Sequence, residues 1–110
     1  MSVETQDPFK RITVTEAKKM VDAGLPVIDV REPNEYQAGH VPGAKLVPLN
    51  SFLRSPRQHL PANGPVLFIC AMGQRSGVAS EMAAASGATE VYNIEGGTND
   101  WIAKGYPTEK

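Results

Sequence analysis

The sequence predicts an α/β fold, a mostly parallel five-stranded sheet with helices on both faces. Short apolar runs alternate along the chain with helix-like stretches, and strands joined by helical crossovers pair in parallel. Val27-Ile28-Asp29-Val30 and Val66-Leu67-Phe68-Ile69 are continuous rather than alternating, as strands covered on both faces are. Glycines stop the helical stretches, Gly24 after the first and Gly87 after the longest. The 110 residues are expected to form one domain, residues 1–110, with an ordered core of about 11–107.

The elements follow in order. Arg11 to Val14 is expected as a short first strand. Thr15 is the expected cap of a helix whose Ala17, Met20 and Val21 share one face. Val27 to Val30 is a second strand. Glu32 to Tyr36 reads as a short helix with Pro33 in its first turn. Lys45 to Leu49 reads as a third strand at the periphery, because Pro48 cannot donate to a ladder. Residues 51–60 carry a faint helical pattern. Val66 to Ile69 and Val91 to Ile94 are strands four and five, with a helix over Ser76 to Ala85 between them. Asn99 to Lys104 forms the last helix, closed by Gly105 and Pro107.

A net charge of −1 leaves no electrostatic footprint for nucleic acid or an anionic membrane. Met1 to Lys10 holds no apolar signal region, and no run approaches membrane-spanning length, so the cytoplasm is the expected compartment and a monomer the expected state. A single cysteine excludes an internal disulfide and a multi-cysteine zinc site. It also leaves no resolving thiol, so sulfur chemistry at this residue must involve a second molecule.

That cysteine, Cys70, opens the segment Cys70-Ala71-Met72-Gly73-Gln74-Arg75-Ser76 between the fourth strand and the following helix. In parallel α/β sheets ligands bind beyond the carboxyl ends of the strands. A helix start offers unpaired N–H groups and a positive dipole end, which favour an anion. A thiolate is such an anion, and a cysteine beside a helix N-terminus and an arginine ionises more readily than a free thiol. Gly73 permits a backbone turn that brings several amides inward as an anion nest. Arg75 adds a planar cationic fork, and Ser76 is placed to cap the helix and donate its hydroxyl. Only four residues separate Cys70 from Arg75. The cysteine phosphatases have five, so the smaller ring suits a compact sulfur group better than a phosphoryl group.

Four stretches then resemble the motifs of one family, the rhodanese (sulfurtransferase) family. They are Asp29-Val30-Arg31-Glu32-Pro33-Asn34-Glu35-Tyr36, Gly39-His40-Val41-Pro42-Gly43-Ala44, the Cys70 loop ending in Gly73-Gln74-Arg75-Ser76, and Asn93-Ile94-Glu95-Gly96-Gly97 with Trp101 and Gly105-Tyr106-Pro107. They stand in the family's order over roughly Ile12 to Pro107. The resemblance implies a single-domain, three-layer rhodanese-like fold and a sulfurtransferase of the thiosulfate:cyanide type. Cys70 would take the outer sulfur of a donor such as thiosulfate and hold it as a persulfide. A thiophilic acceptor, cyanide, a thiol or a sulfur-accepting protein, would then remove it. The amides of residues 71–75 would stabilise the persulfide, Arg75 would balance the loop's charge and orient the donor, and no metal or organic cofactor would be needed.

Other residues are expected to be structural. Asp29 and Arg31 read as an ion pair or turn anchor, with Arg31 also a candidate for donor binding. His40 lies in a turn, His59 at the surface, and Trp101 in the core beneath the site. Gly96-Gly97 allow a tight backbone path near the Cys70 loop. Met72 and Gln74 project as an uncharged rim that selects the acceptor. Two other readings fit the same fold: a phosphatase or arsenate reductase, and a non-catalytic regulatory module.

Overall fold

The computed structural model describes residues 8–110. Five strands form one fully parallel sheet: β1 (Lys10–Ile12), β2 (Val27–Asp29), β3 (Lys45–Leu46), β4 (Pro65–Ile69) and β5 (Glu90–Ile94). Their spatial order is β1-β5-β4-β2-β3, which puts β4 at the centre and β3 at an edge; β3 is shorter than the expected Lys45 to Leu49, because Pro48 already stands at the N-cap of the helix that starts at Leu49. Five helices connect them, α1 (Val14–Asp22), α2 (Pro33–Ala38), α3 (Leu49–Arg54), α4 (Pro56–His59) and α5 (Gln74–Ala85), and α6 (Gly97–Ala103) follows β5. Among the described residues no helix is long and apolar enough to cross a membrane.

The two-residue period of β4 divides its side chains between two cores. Val66 and Phe68 pack with Phe52, Ala79, Ala83 and Val91. Leu67 and Ile69 pack with Val14, Ala17, Ile94 and Trp101. Continuing the alternation, Cys70 falls on the Phe68 face, which α5 covers. This is the three-layer architecture the sequence implied, with β4 buried on both sides.

The helix boundaries differ from expectation in three places. Thr13, not Thr15, caps α1: its hydroxyl accepts from the Glu16 amide while the Glu16 carboxylate accepts from the Thr13 amide. That reciprocal box satisfies two donors at once and wins over a cap two residues later. The faint pattern over 51–60 resolves into two short helices, α3 and α4, because Pro56 cannot continue a helix and starts the second one. Helices α5 and α6 begin two residues earlier than expected, each after a glycine with positive φ: Gly73 at 101° and Gly96 at 81°.

Thr13→Ala removes one half of the capping box at an exposed helix start, so urea unfolding is expected to show a loss of about 1 kcal/mol; Thr15→Ala, outside the box, is expected to change stability by less than about half of that.

Candidate active site

Cys70 follows the last residue of the central strand and is 1% exposed. A buried thiol normally resists ionisation, but donors surround this sulfur. The Gly73 amide lies 3.1 Å from Sγ, and the Ser76 hydroxyl donates to it from 3.3 Å. Burial pushes the Cys70 thiol up; the Ser76 hydroxyl and the amides of Ser76, Met72 and Gly73 outweigh it and bring the thiol below its ordinary 9.0. The amides that face the sulfur are therefore those of Met72, Gly73 and Ser76. Ser76 is not the helix cap that its position suggested. The helix has already begun at Gln74, so Ser76 lies fully buried in the first turn, with hydroxyl and amide both turned to the sulfur.

The loop is clamped from below by the start of α6. The Thr98 amide donates to the Cys70 carbonyl at 2.8 Å, the Thr98 hydroxyl to the same oxygen at 3.1 Å, and the Asn99 amide to the Ala71 carbonyl at 3.1 Å. So close an approach needs Gly97: a Cβ there would strike the carbonyl oxygens of Cys70 and Ala71. From β5, the buried Asn93 Nδ2 donates to the Gly73 carbonyl at 3.1 Å. These contacts turn the carbonyls of the loop away from the sulfur and leave its N–H groups facing it.

Arg75 does not present a bare charge. Its two terminal nitrogens meet the two carboxylate oxygens of Glu35, at 2.8 and 3.0 Å. Glu35 Oε1 also accepts from the Glu32 amide at 2.9 Å, as the reciprocal partner in the capping box of α2. The Arg75 hydrogen bond is the main cause that holds the Glu35 carboxyl well below its ordinary 4.5, at about 2. Arg31 is buried and donates to both oxygens of Asp29, at 2.8 to 3.1 Å, and to the Gly39 carbonyl at 2.9 Å. These contacts make Arg31 an anchor of the turn after β2, with its guanidinium engaged by Asp29 and the Gly39 carbonyl. Of the loop's remaining side chains, Ala71 is half-buried and Gln74 exposed, and Met72 is 64% exposed.

The Rhodanese-like domain family matches residues 13–104 of this chain. The chain belongs to that family. An uncharacterised protein of Bacillus subtilis (strain 168), YqhL, is 40% identical over 78 residues, covering 71% of this chain and 61% of that protein. The thiosulfate sulfurtransferase GlpE of Ectopseudomonas mendocina (strain ymp) is 32% identical over 101 residues, covering 92% of this chain and 91% of the relative. A crystal structure of a rhodanese-related protein from Thermoplasma volcanium superposes with a TM-score of 0.81 at 33% identity, over 92% of this chain and 98% of that one.

In this rhodanese-like domain the Met72, Gly73 and Ser76 members of the predicted loop face the Cys70 sulfur, Gln74 and the Met72 side chain point outward, Arg75 turns to Glu35, and Arg31 stands apart in its own ion pair. Glu35, Asn93 and Thr98 complete the arrangement and were not singled out from the sequence. Glu35 could have been found there: it stands in the motif that carries Asp29 and Arg31, on a helix predicted to leave the carboxyl end of β2, and Arg75 needs an anion. His40 is buried and stacked on Tyr36 with ring centroids 3.6 Å apart, its Nδ1 lying 2.8 Å from the Tyr36 carbonyl, which is the turn role expected of it. His59 is half-buried and tilted against Phe52, so it is less exposed than expected. Trp101 is fully buried, and its indole N–H donates to the Pro107 carbonyl at 2.7 Å.

Three outcomes test this geometry. Gly97→Ala forces backbone against backbone at a position with φ of 59° and is expected to destabilise the fold by about 3 kcal/mol or more in urea unfolding. Ser76→Ala is expected to move the pH midpoint of Cys70 alkylation upward while leaving the far-ultraviolet circular dichroism unchanged. A carboxylate held below its ordinary value stabilises the fold above that value and loses the contribution as pH falls toward its folded-state pKa. For Glu35 that window runs from 4.5 down to about 2, and Glu35→Gln is expected to flatten the fall in stability across it.

Proposed function

We propose that this protein is a sulfurtransferase that moves sulfane sulfur through a persulfide on Cys70. One observation carries the reading: a lone cysteine sulfur at the carboxyl end of the central strand faces the Gly73 amide and the Ser76 hydroxyl at the start of a twelve-residue helix. Such a cup favours the ionised, nucleophilic form of the sulfur, and it receives the negative charge that remains after sulfur transfer.

The steps balance without a redox partner. The Cys70 thiolate attacks the outer sulfur of a donor such as thiosulfate. A new S–S bond forms, the donor's S–S bond breaks with its electron pair, and sulfite leaves. Cys70 then bears a persulfide anion whose terminal sulfur takes over the donors of the loop. An acceptor thiolate or cyanide attacks that terminal sulfur and departs as an organic persulfide or thiocyanate, and the Cys70 thiolate is restored. Two half-reactions through one covalent intermediate give ping-pong kinetics. The chain holds no second cysteine, so the acceptor must come from outside, as a small thiol or a sulfur-accepting protein.

Glu35 is not the acid that a phosphatase reading needs. A phosphate-ester reaction needs an acid that protonates the leaving oxygen. The carboxyl that pairs with the loop is Glu35, kept ionised down to about 2, and it holds no proton to give near neutral pH.

Intact mass after incubation with thiosulfate tests the reading. A gain of one sulfur atom, about 32 Da, is expected in the wild type; cyanide should remove it and Cys70→Ser should never show it. Because the thiol lies below its ordinary value, the midpoint of the loading rate against pH should fall below 9.0. A wild-type protein that takes up no sulfur would favour the non-catalytic module.

A further inference from the structure

A buried amide in β5 carries a cost that packing does not require. The two-residue period of β5 puts Asn93 on the α5 face with Val91, and Phe68 of β4 stands beside it in the register. Both neighbours are apolar, and Asn93 is fully buried. Helix α5 passes over it at Gly77, where an added Cβ would lie 3.5 Å from Asn93 Nδ2. That nitrogen donates to two acceptors, the Gly73 carbonyl at 3.1 Å and Glu95 Oε2 at 2.5 Å. The other end of the amide is orphaned: among the described residues, Asn93 Oδ1 is the buried side-chain polar atom without a hydrogen bond. Turning the amide over would set Oδ1 against both acceptors, so the two bonds fix the orientation that leaves the oxygen unpaired. An unpaired buried acceptor is destabilising, and an apolar side chain of similar shape would avoid it.

What this amide holds is the residue of the loop with the most backbone freedom to lose. Gly73 sits at φ 101°, a conformation that glycine reaches readily and leaves as readily. Its N–H lies 3.1 Å from Cys70 Sγ, and its carbonyl accepts from Asn93 and from the Gly77 amide, each at 3.1 Å. We infer that Asn93 is a positioning residue for the Cys70 sulfur: by gripping the Gly73 carbonyl from β5 it keeps the Gly73 N–H aimed at Sγ, and its own unpaired oxygen is the consequence. The inference rests on Cys70 as the reacting residue. Glu95 serves the same end, because its carboxylate holds the second N–H of the amide and stops the side chain from turning over. The Gly73 amide is one of the donors that bring the Cys70 thiol below its ordinary value, so loosening it acts on the sulfur directly.

Asn93→Leu in the full chain tests this. It keeps the shape of the side chain, removes both the donor and the orphaned oxygen, and alters no charge, so Arg75 with Glu35 and Glu95 with Arg11 keep theirs. Urea unfolding is expected to show the variant at least as stable as the wild type. Alkylation of Cys70 by iodoacetamide is expected to slow about threefold to tenfold at neutral pH and to return to the wild-type rate at high pH, and sulfur loading from thiosulfate to slow with it. The alkylation profile decides. A profile that matches the wild type, whatever the stability, overturns the positioning role, and so does one lowered equally at every pH, which reports access to the sulfur rather than its ionisation. Where Asn93→Leu does not fold, Asn93→Ser is read in the same way with a shorter side chain; loss of folding in both makes Asn93 a structural residue and overturns the inference. The two readings fail separately. An unchanged profile with normal sulfur gain overturns the role of Asn93 and leaves the persulfide cycle standing. A wild-type protein that gains no sulfur, while the variant shows the shifted profile, overturns the cycle and supports the role of Asn93.

Discussion

Easing the ionisation of a nearly buried sulfur sets the terms for everything around it. Burial disfavours the thiolate, and only hydrogen bonds to the charged form offset that cost, each contributing on the order of 1.5–3 kcal/mol. Amides can do this only if the chain between β4 and α5 turns its N–H groups inward and its carbonyls outward. Gly73 supplies the left-handed residue that makes the turn, and the outward carbonyls find donors at Thr98, Asn99 and Asn93. The two close approaches are one device: α6 draws near through Gly97 so that the Cys70 and Ala71 carbonyls are satisfied on the side away from the sulfur.

The ion pairs around the site follow a different logic. Glu35 accepts from the amide of Glu32 and from the guanidinium of Arg75 with the same oxygen. Local helix capping and a long-range latch on the loop are therefore coupled through one atom. The pair is partly exposed, at 36% and 30% for the two side chains, so solvent weakens its energetic worth. Its bidentate geometry matters more: a planar fork on a carboxylate fixes the orientation of Arg75, and with it the first turn of α5 that carries Ser76. Positional control and charge cancellation arrive together, and the loop gains order without becoming strongly cationic.

Much of this was legible in the sequence because it is written in local pattern. The buried runs of β2 and β4 and the strand–loop–helix context of Cys70 are contiguous signals. The helix starts were less legible. Thr13 and Thr15 are both plausible caps, and the choice depends on Glu16 standing three residues after Thr13, a detail easily missed beside an apolar run. At Cys70 the sequence located the loop but not the carboxylate that pairs with Arg75. The partner of Arg75 lies forty residues away in the chain, and the burial of Arg31 against Asp29 and the Gly39 carbonyl is likewise a tertiary fact.

The same distinction explains why the cup of amides outranks the arginine in this site. A side-chain cation can be neutralised by a carboxylate that folding brings near, as Glu35 does to Arg75. A main-chain N–H cannot be neutralised; it can only be turned toward or away. Once β4 ends on the α5 face and Gly97 locks the carbonyls behind it, the amide donors of Met72, Gly73 and Ser76 are fixed by the backbone itself. Anion affinity at Cys70 is in that sense a property of the sheet–helix junction, and the side chains at the rim are left to decide which anion reaches it.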